Sequence, residues 1–75
     1  MGTMAVMDRS GDTKVIWDKN NPDEVENARR TFDELRKKGF LAYSVQGRQG
    51  DKGELIREFD PEAERLIMAP PMQGG

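Results

Sequence analysis

The most regular pattern in the chain is a stripe of apolar residues between positions 22 and 38. Its members recur at spacings of three or four positions, with charged residues between them: Val25, Ala28, Phe32 and Leu35. This spacing places the apolar side chains on one side of an α-helix and is typical of a helix that packs one face against a core. The pattern therefore predicts an amphipathic helix over residues 22–38.

The residues at both ends of this segment are typical of helix termini. Asn21 is a good N-cap, and Pro22 suits the first helical position, where the missing amide hydrogen would have no partner. Gly39 can adopt the left-handed conformation that closes a helix, and Phe40 can then fold back onto Leu35. Charges at the two ends complement the helix dipole: Asp23, Glu24 and Glu26 near the start, and Arg36, Lys37 and Lys38 near the end.

Short apolar segments on both sides of the helix predict strands. They are bounded by glycine, proline and polar residues, and they cover residues 4–8, 13–17, 41–45, 54–59 and 64–69. The stretch between the first two segments predicts a hairpin turn. Pro70 and Pro71 end the last strand because proline cannot donate a hydrogen bond to a neighbouring strand.

The order strand, strand, helix, strand, strand, strand predicts a single α+β domain. One apolar helix stripe and one apolar sheet face are buried most simply when the helix lies across that face. In the third strand, Leu41, Tyr43 and Val45 alternate with smaller residues, which predicts that these three face the helix. The full set of predicted core partners is Val15 or Ile16, Trp17, Leu41, Tyr43, Val45, Leu55, Phe59, and Leu66 or Met68.

The composition excludes most of the usual chemistry of enzyme sites. The 75 residues contain no cysteine and no histidine, which removes thiolate nucleophiles, disulfides, cysteine-bound zinc and the commonest general base. Twelve Lys and Arg against fourteen Asp and Glu give a formal net charge of -2, whereas nucleic-acid binders are usually basic. We expect a protein that is not an enzyme and has no cofactor, metal site, nucleic-acid partner or small-molecule pocket.

The location of the protein is predicted from two features that the sequence lacks. No apolar run is long enough to span a membrane, and the first residues lack the basic start and apolar stretch of a secretory signal. We expect a soluble cytoplasmic protein without a membrane partner. Residues 1–71 would form the domain, and residues 72–75 would form an exposed tail.

The end of the chain carries the strongest functional signal. Pro70 and Pro71 follow the predicted last strand, and two spacer residues separate them from Gly74 and Gly75. This Pro-Pro-x-x-Gly-Gly ending, together with the order of elements, resembles the ubiquitin-like β-grasp sulfur carriers and modifiers. That class is typified by the small subunit of molybdopterin synthase and the thiamin sulfur carrier. The resemblance implies a β-grasp-like fold with a four- to five-stranded mixed sheet and one amphipathic helix across one face.

The resemblance also implies a reaction at the tail. In that family a partner adenylating enzyme activates the terminal carboxylate, which is converted to a thiocarboxylate or passed to an acceptor enzyme or a protein lysine. By this resemblance Gly75 carries the reactive carboxylate, and Gly74 keeps the adjacent backbone narrow enough to enter another enzyme. Pro70 and Pro71 would hold the base of the tail extended and away from the sheet.

A second hypothesis belongs to a different class of protein. The chain could be a non-enzymatic binding or assembly module, such as a small virion, toxin–antitoxin or regulatory component, that uses a sheet edge or the helix face. Strand addition at a sheet edge needs no special side chains, so the sequence leaves this alternative open.

Three other motifs have ordinary structural explanations. Residues 47–53 combine glycines with cations but lack the Gly-Lys-Ser/Thr ending of a phosphate-binding loop, which favours an exposed loop. Residues 8–12 place oxygen ligands at alternate positions, but the glycine and glutamate of a calcium loop are missing. The helix cations have counter-charges four positions away, Glu26 to Arg30 and Asp33 to Lys37, which favours a solvated face over a nucleic-acid surface.

Overall fold

The computed structural model describes residues 1–8, 11–45 and 53–71. The elements are β1 (Gly2–Asp8), β2 (Gly11–Trp17), α1 (Pro22–Lys37), β3 (Leu41–Val45), β4 (Glu54–Ile56) and β5 (Arg65–Ala69). The predicted order of elements is confirmed. Each strand of the first hairpin begins two residues earlier than predicted and ends where predicted, and β4 is only three residues long. The predicted exposed loop lies outside the described residues except for Gly53.

The five strands form one mixed sheet in the order β2-β1-β5-β3-β4. β1 pairs in parallel with β5, and the other neighbouring strands pair antiparallel. The first and last strands of the chain therefore lie side by side at the centre, and the helix belongs to the long connection between the two halves. This arrangement is a small α+β fold of β-grasp-like type, as predicted.

Both ends of α1 have the predicted caps. The Asn21 side chain accepts hydrogen bonds from the amides of Asp23 and Glu24 at 3.1 and 3.3 Å. Gly39 has a φ of 97°, a left-handed conformation that residues with a β-carbon rarely adopt. The chain then folds back, and the Phe40 amide donates to the Leu35 carbonyl oxygen at 3.0 Å. Local sequence alone is thus sufficient to define where this helix begins and ends.

The core lies between α1 and the face of the sheet that the helix covers. Ala28 and Phe32 from the helix are fully buried, as are Trp17, Leu66 and Met68 from the sheet. The ring of Phe59 makes edge-on contacts with two other aromatic rings. The centroid distances are 5.0 Å to Trp17 and 5.8 Å to Phe32. The Trp17 indole Nε1 donates to the Pro61 carbonyl oxygen at 3.0 Å, so the ring is fixed by packing and by a hydrogen bond.

The prediction for β3 is wrong, because the opposite face of this strand turns toward the helix. Ala42 and Ser44 are buried, whereas Leu41 is 41% exposed and Tyr43 and Val45 are half-buried on the other face. Ala42 pairs with Met68, and Ser44 pairs with Leu66. These large β5 side chains already fill the space beneath the helix, so the neighbouring positions of β3 accommodate only small residues.

Other predictions for the sheet core had mixed outcomes. Leu55 was predicted to be buried but is 55% exposed, and its neighbour Ile56 packs against the core instead. For β2, the structure selects Val15 over Ile16 as the core residue. Three further core residues were missing from the predicted core: Met4 and Val6 of β1, and Ala63, which precedes β5. Met4 and Val6 lie on the covered face because they pair with Leu66 and Met68, the buried residues of β5.

Candidate functional site

The predicted site lies at the end of β5, the central strand of the sheet. β5 has β1 on one side and β3 on the other, and its final pair joins Ala69 to Leu41. The chain leaves the sheet at Pro70, which is exposed, and continues into Pro71, which is half-buried. Gly74 and Gly75 lie outside the described residues, as do Met72 and Gln73. The described part of the site is therefore the base of the tail.

Pro71 packs against the turn that follows the helix. A β-carbon placed on Gly39 would lie 3.4 Å from the Pro71 Cβ, within ordinary van der Waals contact. Glycine is favoured at this position by its left-handed backbone, and the Pro71 ring lies at contact distance from the turn. The structure thus brings together Pro71, predicted to position the tail, and Gly39, predicted only to end the helix.

Four cations lie at the same end of the domain as Pro71. Three belong to the last turn of α1 and its C-cap, and one follows β4: Arg36, Lys37, Lys38 and Arg57. Among the described residues, none of them has a carboxylate within 4.0 Å. The predicted pairing of Asp33 with Lys37 is wrong, because Asp33 pairs with Arg29 instead, at 3.0 Å. The base of the tail therefore lies beside cations that form no ion pair with another described residue.

A surface depression of about 320 Å³ lies beside the base of the tail. It is lined by two of these cations and by three apolar residues: Arg36, Leu41, Leu55, Ile56 and Arg57. The pairing of Ala69 with Leu41 connects the end of β5 directly to this depression. Sequence analysis missed it because Leu41 and Leu55 were assigned to the core. The feature of the sequence that could have indicated this depression is Arg57, a cation directly after the apolar residues of β4.

The face of the sheet opposite the helix carries several exposed apolar side chains. They come from four different strands: Met7, Ile16, Leu41 and Leu55, with exposures between 41 and 55%. Over β1, β2 and β5, an open groove is lined by Met7, Ile16 and Ile67 together with the cations Lys14 and Arg65. No helix of the described chain covers this face, and the sequence analysis did not anticipate it.

The groups with shifted pKa values lie on the outer side of the helix. A hydrogen bond from Arg29 is the main reason that the pKa of Glu26 lies below its ordinary value, and the charges of Arg29 and Arg30 contribute. The same hydrogen bond raises the pKa of Arg29. These exposed ion pairs agree with the predicted solvated helix face. Among the described residues, no group of acidic side chains is arranged to hold a metal ion.

The class that the fold defines is a β-grasp-like α+β domain, and comparisons with known proteins add no relative to it. No family model, no curated protein and no solved structure matches the chain. Within the described residues, no helix is both long enough and apolar enough to cross a membrane. The functional argument therefore depends on the tail and on the surfaces around its base.

Proposed function

We propose that this protein is a ubiquitin-like carrier or modifier whose Gly75 carboxylate is the substrate of a partner adenylating enzyme. The observation that carries the proposal is the Pro-Pro-x-x-Gly-Gly segment directly after the central strand of a β-grasp-like sheet. A tail that leaves the sheet centre beside a packed proline has a defined origin, while its last residues carry no β-carbon. These features suit a carboxylate that has to enter the site of another enzyme.

The proposed chemistry is carried out by the partners, and this chain supplies the carboxylate. A Gly75 carboxylate oxygen attacks the α-phosphorus of ATP, and pyrophosphate leaves, which produces an acyl adenylate. In the conjugation branch, an acceptor amine or thiol then attacks the acyl carbon and displaces AMP. In the sulfur-carrier branch, a persulfide displaces AMP, and a thiol then cleaves the resulting acyl disulfide to leave a thiocarboxylate.

The proposal is tested by ATP–pyrophosphate exchange in an extract of the host cells. Labelled pyrophosphate should enter ATP faster when the purified chain is added, because adenylation is reversible before AMP leaves. A variant that lacks Gly74 and Gly75 should give no stimulation. Lys19→Gln is a matched control at the opposite end of β5, where Lys19 pairs with Glu62 at 3.7 Å, and it should behave as the parent chain does.

Two results would contradict the proposal. One is equal stimulation by the parent chain and by the variant without Gly74 and Gly75. The other is the absence of any chain-dependent exchange in a host extract. The intact mass of the chain recovered from the reaction separates the two branches, since a thiocarboxylate replaces one oxygen by sulfur whereas conjugation adds the mass of an acceptor.

A second candidate function is a binding or assembly module, and the uncovered sheet face favours it. Met7 and Ile16 are exposed and line one groove on this face together with Ile67, and exposed apolar surfaces of this kind often mark protein contacts. This function needs no tail. If a partner protein from the host still binds the chain after deletion of Gly74 and Gly75, but no longer binds the Ile16→Lys variant, the binding module is favoured over the carrier.

A further inference from the structure

The depression lined by Arg36 and Arg57 lies at the same end of the sheet as the base of the tail. Leu41 takes part in both places, since it lines the depression and pairs with Ala69, the residue before Pro70. The neighbouring pair, Ala42 with Ile56, joins β3 to the edge strand that forms the other side of the depression. Any protein that receives the tail would therefore approach this part of the surface.

The guanidinium of Arg36 is only partly satisfied inside the domain. Its Nη1 donates to the Phe40 carbonyl oxygen at 2.8 Å. Its Nε is buried and has no hydrogen-bond partner among the described residues. Arg36 forms no ion pair with another described residue, so its charge remains available to an anion that comes close to the guanidinium.

Helix capping accounts for one of the two arginines but not for the other. Arg36 lies in the last turn of α1, where a cation complements the helix dipole and satisfies a carbonyl oxygen. Arg57 follows β4, lies outside the helix, and has no ion pair or hydrogen bond among the described residues. Two cations from separate elements thus line one depression without a carboxylate between them.

The walls of the depression indicate what kind of anion would fit. Leu41 and Leu55 are 41% and 55% exposed, and Ile56 adds a third apolar side chain. A small inorganic anion would leave these surfaces in contact with water. A protein segment with an acidic residue next to an apolar residue would pair with the arginines and also cover the leucines.

We infer that this depression binds an acidic side chain of the protein that receives the tail, with an adjacent apolar side chain on Leu41 and Leu55. The identity of the partner rests on the proposed function, whereas the chemistry of the site rests on the depression itself. A partner bound in the depression would be aligned with the tail, because the depression and the base of the tail both lie at the carboxyl end of β5.

The inference is tested by NMR on the ¹⁵N-labelled full chain. The probe is a short capped peptide of alternating leucine and glutamate. It should shift the side-chain N–H signals of Arg36 and Arg57 and the amide signals of Leu55 and Ile56. A peptide with glutamine in place of glutamate should bind about ten-fold more weakly, because the charge-assisted hydrogen bonds are lost.

Two variants provide the matched comparison. Arg57→Gln should weaken binding of the glutamate peptide by about ten-fold, and because Arg57 is exposed, the variant should keep its fold. Arg30→Gln removes the same charge from the outer helix face, and its binding should remain as in the parent chain. Equal binding by the two variants, or no shift around the depression, would overturn the inference. So would inorganic phosphate that binds there as tightly as the peptide, since the site would then accept any anion.

The exchange assay separates this inference from the proposed function. Arg57→Gln should raise the chain concentration needed for half-maximal exchange without lowering the maximal rate, because the docking site changes and the carboxylate does not. Deletion of Gly74 and Gly75 should remove the rate itself. The peptide measurement needs neither ATP nor the tail, so it decides the inference even if the chain is not adenylated.

Discussion

The two faces of the sheet use the same strands but have opposite environments. On the covered face, Met4, Trp17, Leu66 and Met68 are fully buried beneath α1. On the open face, Met7, Ile16, Leu41 and Leu55 retain between 41 and 55% of their exposure. Both faces are apolar, so hydrophobicity alone does not distinguish them. What distinguishes them is the helix, which has one apolar stripe and can bury only one face.

The stability of the domain therefore accounts for the apolar residues of the covered face but not for those of the open face. Apolar side chains beneath the helix lose nearly all contact with water, and each contributes a few kcal/mol, of the order of 1.5–3 for a fully buried side chain. Side chains on the open face gain much less from folding. The proposed binding function accounts for their exposure by contact with another molecule, and the proposed docking site accounts for Arg57 in the same way.

The largest difference in the free energy of unfolding is expected when one large side chain is truncated on each side of the sheet: one in the core beneath the helix and one on the open face. Phe32→Ala should cost about 3–5 kcal/mol in the free energy of unfolding, because it removes a fully buried ring that contacts Phe59. Leu55→Ala on the open face should cost about 1 kcal/mol or less. Urea denaturation followed by circular dichroism measures both variants.

The loss in Phe32→Ala is comparable to the whole stability of many small domains, so this variant is expected to be largely unfolded. Phe32→Leu keeps most of the volume and should remain measurable, with a cost of about 1–2 kcal/mol. Similar costs for Phe32→Leu and Leu55→Ala would remove the energetic difference between the two faces.

An intermediate effect is expected from Gly2→Ala, which tests how tightly the covered face is packed. The added β-carbon would overlap the indole ring of Trp17, the residue that pairs with Gly2 across the hairpin. The indole ring cannot move freely, because it is fully buried and its Nε1 donates a hydrogen bond to the Pro61 carbonyl oxygen. We expect a cost of about 1–3 kcal/mol in the free energy of unfolding.

The matched control for Gly2→Ala is Thr3→Ala, since Thr3 is the next residue and lies on the opposite face of β1. Its cost should be a few tenths of a kcal/mol, as for most surface substitutions. Thermal denaturation of both variants gives the comparison. A Gly2→Ala variant as stable as the parent chain would indicate that the Trp17 site is looser than the structure has it.

The smallest effect is expected from pH, because the buried side chains of the described core carry no charge. The pKa of Glu26 is lowered in the folded state by Arg29, so its contribution to stability is present above the ordinary glutamate pKa. That contribution is lost as the pH falls through the lowered value. Glu26→Gln should therefore be slightly less stable than the parent chain at neutral pH, and the difference should disappear in acid.

Urea denaturation over a series of pH values measures this effect. Glu58→Gln is the control, because Glu58 is exposed and has no ion pair among the described residues. If the free energy of unfolding depends on pH in the same way for Glu26→Gln and Glu58→Gln, then the Glu26 ion pairs do not contribute to the stability of the domain.

The helix could be predicted from sequence because its signals are local. Asn21, Pro22 and Gly39 act within a few residues of themselves, and the apolar stripe follows the helical repeat. The face of β3 could not be predicted, because both sets of alternate residues are compatible with burial. Ala42 and Ser44 lie on the covered face because they pair with Met68 and Leu66, large β5 residues that are distant in sequence.

For the candidate site, the sequence predicted the tail, and the structure supplied its surroundings. The Pro-Pro-x-x-Gly-Gly segment is visible in the sequence, but nothing in the sequence joins Arg36, Leu41 and Arg57 into one depression. These residues come from different elements, and they meet because β3 begins at the edge of the sheet where β4 and β5 end.

The class of fold, the limits of the helix, the lack of cysteine and histidine, and the Pro-Pro-x-x-Gly-Gly segment can all be read from the sequence alone. Each of these depends on residue types or on spacings within a short stretch of chain. Only the folded structure shows which strand faces the helix covers and which cations lie near the base of the tail. Strand pairing joins residues that are distant in sequence, and alternate residues of a strand face opposite sides of the sheet. The register between β5 and β3 therefore fixes which β3 residues are covered.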